Sequence, residues 1–591
     1  MNIETAVRRA PARWIRSQVA PEIVTSLAKG LRLSTIAASI LAARGYADLA
    51  SASEFVNPRL DDLHDPLLLA DMDRAAARLR DAIRSGEPVL LYGDYDVDGT
   101  CSIVVLKRAI ELLGGRADFH VPHRLKDGYG MRSEVVSRAA ESGVRLIVSV
   151  DTGIRAGEVV RHANALGIDV IVTDHHLPEK ELPPALAVLN PNRPDCRYPN
   201  KNLCGAGVTL KLIQALLVTS DLTQARRTAL LDSFLKPVAI ATVADIVPLT
   251  GENRIIVKRG LSGLQQVRNP GLKALLAVAG FEAGETPSAH QVAFRIAPRI
   301  NAAGRMATAR DVVDLFLTDD FARAQSLAEQ LDRLNSERQQ VEAEIVETIL
   351  KQCEEQPLSP DCAGLVFAGS GWHLGVLGIV ASRLVERFTR PVFVLSESTE
   401  QDEHGGFYFA GSGRSIPAFH LLEALESMPE LFRKFGGHRQ AAGLTLSAHA
   451  IEDFRARFDQ FAAARLTVED FRPEFKIDAE VTLPELNDRC ANDVLSLGPF
   501  GFGNPMPVLS AEALEVAGPV RTSANGKHLT VPFRQNGRTL FVKAWNFADR
   551  ADLFAPGKRI DVLLQIEDDA YSRRRGYGSW CLSLKDARPS A

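Results

Sequence analysis

The sequence predicts an α/β protein: two α/β domains joined by a long helix, followed by a small C-terminal β-barrel domain. Three patterns carry this. Apolar, β-branched runs alternate with helical periods from about residue 76 to 250, the signature of a doubly wound sheet. From Phe321 to about Glu355 apolar residues recur three and four apart, as on one face of a single helix. After Arg472-Pro473 the runs become short and alternating, with Asn525-Gly526 and Asn536-Gly537 between them, a strong hairpin signal.

Residues 1–75 read as a helical segment, with helix starts at Ser34-Thr35 and Ser51-Ala52 and a turn-rich passage at Asn57-Pro58 and Asp61-Asp62. Residues 76–310 form the first α/β domain. Its strands are Pro88 to Gly93, Ala117 to Val121, Leu146 to Val150 and Ile168 to Thr173, with helices over 99–113, 133–142 and 157–166. Residues 311–358 hold the connecting helix. Its stripe is Phe321, Ala324, Leu327, Ala328, Leu331, Leu334, Val341, Ile345 and Ile349, with one seven-residue gap; such a stripe is packing surface rather than a substrate groove. Residues 359–468 form a second α/β domain marked by glycine clusters, and residues 469–591 form the β domain, with strands over 529–534, 539–545 and 559–566.

Composition narrows the class. Of 591 residues, 46% are hydrophobic and 24% charged, as in a soluble globular protein, and 69 basic against 73 acidic residues leave a formal charge of −4. Any nucleic-acid surface must therefore be local. Seven cysteines are scattered without a Cys-x-x-Cys pair, which favours a reducing compartment and argues against structural zinc. Arg8, Arg9, Arg13 and Arg16 precede no uninterrupted apolar segment, and no run of about 18 apolar residues occurs. The expected location is the cytoplasm, with no membrane contact.

Four acidic motifs carry the chemistry: Asp94-Tyr95-Asp96-Val97-Asp98-Gly99, Asp151-Thr152-Gly153, Asp174-His175-His176 and Ala244-Asp245. The first three follow predicted strands, and parallel strands present functional groups at their C-terminal ends. Any one aspartate could cap a helix. A calcium loop is excluded at 94–99 because the later glutamate is replaced by the apolar Ile103 to Leu106. Acids at three strand ends are not explained by capping. Carboxylates with imidazoles suit Mg²⁺ or Mn²⁺, and His175 and His176 face different directions, one able to bind metal and the other to meet substrate or orient a ligand.

Longer passages surround these motifs: Tyr92-Gly-Asp-Tyr-Asp-Val-Asp-Gly-Thr100, Thr173-Asp-His-His176, Val243-Ala-Asp-Ile-Val-Pro248, Arg299-Ile-Asn-Ala-Ala-Gly-Arg305, Trp372-His-Leu-Gly-Val-Leu-Gly-Ile-Val-Ala-Ser-Arg383 and Phe435-Gly-Gly-His438. On them the chain resembles the DHH phosphoesterase superfamily with its DHH-associated domain, and within it the RecJ family of single-strand-specific 5′→3′ exonucleases. The resemblance implies that Asp96, Asp98, Asp151, His175 and Asp245 bind two Mn²⁺ or Mg²⁺ ions, with Asp151 bridging. Asp94 and His176 would lie in the same site. It also implies hydrolysis of single-stranded DNA to mononucleotides in repair and recombination, alongside a single-strand-binding protein and a helicase. The chain departs from many superfamily members at Tyr92, where they carry histidine.

Phosphate holders follow the same logic. Arg124 lies in a loop after a strand, Arg299 and Arg305 flank Asn301-Ala-Ala-Gly304, and Ser412 and Arg414 lie among glycines. Arginine suits phosphate because its fork donates two parallel bonds. By resemblance these residues, with Gly436, Gly437 and His438, grip the 5′ end. The β domain carries Arg521, Lys527, Arg534, Arg538, Lys543, Lys558, Arg559 and Arg573-Arg574-Arg575, with Trp545, Tyr571, Tyr577 and Trp580 among them, a mixture that suits backbone tracking and base stacking on an OB-like barrel. Trp545, within an alternating run, is expected to be buried. On this reading, deleting residues from about 472 should weaken long strands more than cleavage of short ones. Two other functions use the same residues: a DHH phosphoesterase for short oligonucleotides or cyclic dinucleotides, and a replication scaffold without catalysis. The extra β domain argues against the first and the intact acidic set against the second.

Overall fold

The computed structural model describes residues 11–124, 127–128, 130–401, 406–569, 572–573 and 575–590; Arg8, Arg9, Tyr571 and Arg574 lie outside them. Two compact units form. One comprises Arg16–Asp332 with Lys476–Ala591, and the other includes Arg333–Phe475.

The first unit is built on a five-stranded parallel sheet. Its elements are β1 (Pro88–Tyr92), α1 (Val97–Leu112), β2 (Arg116–His120), α2 (Ser133–Glu141), β3 (Leu146–Val150), α3 (Gly157–Ala165), β4 (Asp169–Thr173) and β5 (Ala187–Leu189), in strand order β2-β1-β3-β4-β5. Every residue of β3 is buried, as expected of a strand covered on both faces. Three helices follow: α4 (Gly205–Val218), α5 (Gln224–Ala244) and α6 (Gly251–Gly263). Beyond a helix over Pro270–Val278 and a short one over Ala289–Gln291 lies α7 (Ala297–Met306), entered through a π-helical turn over Val292–Ile296.

Helix α8 runs from Phe321 to Glu355, about 50 Å at 1.5 Å per residue. Ala324, Ala328, Leu331, Ile345 and Ile349 are buried, whereas Phe321 is exposed. Polar residues are buried in the seven-residue gap of the stripe and just beyond it: Asn335 and Arg338 within it and Glu342 after it, with Arg338 donating to Glu342 at 2.7 Å and to Asn335 at 2.9 Å.

In the second unit β6 (Leu365–Gly369), α9 (Leu377–Phe388), β7 (Val392–Gln401), β8 (Phe407–Arg414), β9 (Phe432–Gly437) and β10 (Ala441–Ser447) form a sheet of order β9-β10-β8-β7-β6. Only the β6–β7 pair is parallel.

The C-terminal part of the first unit closes a barrel from β11 (Leu509–Val516), β12 (Leu529–Gln535), β13 (Arg538–Ala544), β14 (Arg559–Asp568) and β15 (Trp580–Pro589). The ring runs β11-β14-β15-β13-β12 and back to β11. Asn536 and Gly537, with φ of 50° and 78°, make the two-residue β12–β13 turn, the left-handed pair that this hairpin requires. The barrel does not own its core. Val24, Leu27, Ile36, Leu41 and Phe55, from helices at Pro21–Leu31, Thr35–Ala43 and Leu49–Val56, share one cluster with Leu509, Phe533, Val562 and Leu582. The third of these helices is capped by Asp48 rather than started by Ser51, whose amide donates to Asp48 at 2.9 Å. Among the described residues, no helix is long and apolar enough to cross a membrane.

Candidate metal centre

The strand ends converge as their sequence pattern requires. Beyond β1, Asp96 caps α1, its carboxylate accepting from Gly99 N at 3.0 Å. Asp98, in the first turn of α1, reaches a different helix: its oxygens accept from Gly205 N at 2.5 Å and Ala206 N at 2.8 Å, the free amides opening α4. A helix N-terminus favours negative charge there. Asp151 follows β3 with φ of 59°, and its amide donates to Thr173 O at 2.8 Å. After β4, the fully buried Asp174 accepts from the amides of His175 (2.7 Å), His176 (3.0 Å) and Ile154 (3.0 Å) and bonds His176 Nδ1 at 2.7 Å. Asp245 ends α5.

His175 Nε2 lies 3.3 Å from Asp151 Oδ1, 3.7 Å from Asp245 Oδ2 and 3.8 Å from Asp98 Oδ2. Ligand atoms come within 4.8 Å of one another in three overlapping sets: Asp98, His175 and Asp245; Asp94, Asp96 and Asp151; and Asp151, His175 and His176. Asp151 Oδ1, Asp94 Oδ1 and Asp245 Oδ2 are buried without a hydrogen-bond partner. Buried polar atoms are rarely left so, and oxygen-rich acidic sets suit hard divalent cations. The residues present therefore fit such ions.

Electrostatics agree. Burial first, then the Asp96 charge, pushes Asp94 up to about 8. Burial and neighbouring carboxylates raise Asp151 and Asp245 well above the ordinary value. Burial also raises Asp98, against the pull of His175, and lowers His175. For His176 burial, the largest single influence, works against the charge, but the bond to Asp174 together with the charges of Asp174, Asp98 and Asp96 makes the net shift upward.

Close approach sets the glycine at 205. A Cβ there would lie 2.5 Å from Asp151 Oδ1, so Gly205→Ala should displace either Asp151 or the start of α4. The expected result is a loss of ~10–100-fold in metal affinity or activity, the cost typical of disturbed outer-layer support, with the circular dichroism spectrum unchanged. Wild-type Mn²⁺ dependence in this variant would contradict the arrangement.

The remaining site residues are placed unevenly. Tyr92 is fully buried, its hydroxyl donating to Gly130 O at 3.4 Å, so it fills core. Arg124 stacks over the Tyr95 ring at 4.9 Å. On α7, Asn301 Oδ1 accepts from Val97 N at 3.2 Å, and a Cβ at Gly304 would lie 2.5 Å from Tyr95 O, so this segment, with Arg305 beside it, packs on the Asp94–Asp98 loop. Arg299 is engaged elsewhere, donating to Asp332 at 2.8 Å and to Val278 O at 3.2 Å.

In the second unit, Arg414 donates to Ser412 Oγ at 3.0 Å and to Gly413 O at 2.8 Å. Gly436 pairs with Gly443, which pairs with Ser412, a strip across three strands on which the Ser412 hydroxymethyl is the one side chain. His438 follows this strip and is exposed. Gly443 was not singled out in the sequence because no motif surrounds it.

On the barrel, Trp545 is 48% exposed rather than buried. β13 ends at Ala544, and Asn546 turns left-handed with φ of 58°, so Trp545 falls outside the alternation. Phe541 and Tyr577 are exposed as well, while Trp580 donates to Asp488 at 2.8 Å.

Comparison with known proteins aligns with this anatomy. Family models match residues 88–242 (DHH family, N-terminal domain), 362–464 (DHHA1 domain) and 477–578 (RecJ OB domain). The chain is 36% identical over 578 residues to the single-stranded-DNA-specific exonuclease RecJ of Bacillus subtilis (strain 168), covering 98% of this chain and 71% of that protein. It is 39% identical over 453 residues to the protein of that name from Escherichia coli (strain K12), covering 74% and 77%. The crystal structure of RecJ in complex with Mn²⁺ from Thermus thermophilus superposes with a TM-score of 0.81 at 32% identity, covering 98% of this chain and 80% of that one. With strand-end acids, a DHHA1 domain and a closed barrel in this order, the chain belongs to the RecJ family.

Proposed function

We propose that this chain is a metal-dependent 5′→3′ exonuclease that hydrolyses single-stranded DNA to mononucleotides, and acts in DNA repair and recombination in the cytoplasm. The observation that carries the reading is the convergence of Asp94, Asp96, Asp98, Asp151, Asp245, His175 and His176 with buried carboxylate oxygens that have no hydrogen-bond partner among them. Asp96, Asp98, Asp151, His175 and Asp245 would hold two Mn²⁺ or Mg²⁺ ions, Asp151 being common to two of the sets. Such a pair neutralises the phosphodiester, supplies hydroxide at neutral pH and stabilises the leaving oxygen.

The protein's own part is orientation and charge. The α4 amides fix both oxygens of Asp98. Asp174 holds His176 through Nδ1 and favours its charged form, which suits it to meet a phosphate oxygen. No side-chain nucleophile is required: Cys101 is fully buried with its thiol pushed up by that burial, and Ser102 donates to Asp98 O at 2.7 Å. Tracking of distant nucleotides falls to exposed Phe541 and Trp545 with Arg521, which lies 5.8 Å from the Phe541 ring. A single-strand-binding protein and a helicase would be its partners. The test supplies Mn²⁺ or Mg²⁺ and compares 5′-labelled single-stranded DNA, duplex DNA and short RNA; a preference for short RNA would favour the short-oligonucleotide reading instead.

Arg414, with Ser412, Gly436, Gly437 and His438, would grip the terminal 5′ phosphate. Arg414→Ala should cost about 1.5–3 kcal/mol on a 5′-phosphorylated end, the range for a hydrogen bond to a charged group, or roughly ten- to a hundredfold. A 5′-hydroxyl end should lose less. The ratio of initial rates on the two ends, at fixed salt because phosphate binding is salt-sensitive, decides it: an unchanged ratio moves the role to Arg124, Arg305 or Arg299.

A further inference from the structure

We infer that Asn253 is a positioning residue for the metal centre, a clamp that fixes two separate metal-bearing loops at once. The inference rests on the metal-site reading above and extends it to a residue that no acidic motif contains. Asn253 is 1% exposed, in the first turn of α6. Its Nδ2 donates to Asn202 O at 2.6 Å and to Pro248 O at 3.1 Å, and its Oδ1 accepts from Asn200 Nδ2 at 3.1 Å.

These partners sit at strategic points. Asn202 lies three residues before Gly205, whose amide holds Asp98 and whose missing Cβ admits Asp151. Pro248 lies three residues after Asp245. The chain between Asp245 and Pro248 is strained, because Ile246 adopts φ of 58°, a conformation that a β-branched residue keeps only when its surroundings over-determine it. Asn253 supplies one such restraint, and Leu249 N, donating to Phe502 O at 2.8 Å, supplies another.

A carboxamide offers two donors and an acceptor in one plane, which this three-way bridge uses and which neither alanine nor aspartate can reproduce. The neighbours of Asn253 anchor it. Glu252 pairs with the fully buried Lys211 of α4 at 2.6 Å. Arg254 donates to Phe55 O at 2.6 Å, Leu497 O at 2.9 Å and Gly498 O at 2.8 Å. The clamp thus stands on a rigid base, and loosening it should let both loops drift without unfolding the unit.

The experiment titrates Mn²⁺ into the full-length protein and reads the thermal midpoint, then repeats the titration reading hydrolysis of 5′-phosphorylated single-stranded DNA. Asn253→Ala should need about tenfold more Mn²⁺ for half of its stabilisation, within the range seen when outer-layer support of a metal site is lost. Excess Mn²⁺ should return kcat to within a few-fold of wild type, with KM for DNA unmoved. Should N253A fail to fold, Asn200→Ala, which frees the acceptor side of Asn253 and the Asn202 amide that Asn200 Oδ1 holds at 3.0 Å, should shift the midpoint in the same direction while leaving both Asn253 donor bonds in place. Wild-type Mn²⁺ dependence in whichever variant folds would overturn the clamp. So would a lowered kcat that excess Mn²⁺ leaves unrestored. Wild-type protein that is stabilised by Mn²⁺ yet hydrolyses no DNA would overturn the exonuclease reading and leave the clamp standing.

Discussion

Asp151→Asn should cut Mn²⁺-dependent hydrolysis of single-stranded DNA by ~10³-fold or more, since metal charge stabilisation is worth several kcal/mol and each 1.36 kcal/mol is tenfold. The same change should raise the thermal midpoint of the metal-free protein. Asp151 is 2% exposed, its Oδ1 has no hydrogen-bond partner, and it shares its surroundings with Asp94, Asp98 and Asp245, so its negative charge opposes folding when no cation is present. The sign extends to pH. These carboxyls have folded-state pKa values raised above the unfolded value, so the folded state holds more protons and metal-free stability falls as pH rises. For Asp94 the window runs from 3.8 to about 8. Stabilisation by added Mn²⁺ should therefore be larger at pH 8 than at pH 6, and D151N should flatten the metal-free profile. The checks are initial rates at saturating Mn²⁺ and thermal midpoints across that range. Near-wild-type rates, or a midpoint that falls on substitution, would contradict the assignment.

Deleting residues 476–591 should abolish activity on short and long strands alike. Sequence alone makes this region look detachable, a holder of distant nucleotides. The structure revises that expectation. Val24, Leu27, Ile36, Leu41 and Phe55 are buried in the cluster they share with the barrel. Exposing five such side chains, at about 1.5–3 kcal/mol each, costs on the order of 7–15 kcal/mol, comparable to the whole stability of a domain. Arg254 would also lose Leu497 O and Gly498 O, and Leu249 N would lose Phe502 O, beside the metal loop. The truncated chain should show a lower or absent thermal transition, weakened Mn²⁺ binding and equal losses on short and long substrates. Selective loss on long strands, with an unchanged midpoint, would restore the detachable reading.

What the sequence made legible was what local chemistry dictates. Strand-end acids announced themselves because β-branched runs stop where the aspartates begin. The long helix showed its period, and Asn536-Gly537 carried its own turn geometry. What escaped depends on distance along the chain. Nothing near Asp98 says that it holds the amides of Gly205 and Ala206, more than a hundred residues away. Asn253 lies outside every acidic motif, and its importance rests on two carbonyls from other segments. The bond of Arg299 to Asp332, thirty-three residues on, likewise appears only in three dimensions. Trp545 misled because alternation was extended one residue past the end of its strand.

The core shared by the N-terminal helices and the barrel has a consequence for synthesis. The helices ending near Val56 leave the ribosome long before the partners that cover their apolar face, which begin near Ala479. At roughly 5–20 residues per second, about 420 residues of translation separate the two, or ~20–85 s. Leu27, Ile40 and Phe55 must wait that long in a nascent chain before their burial can be completed. This core is thus closed by residues made long after the helices it covers, and a chain released before they are made would carry those helices uncovered.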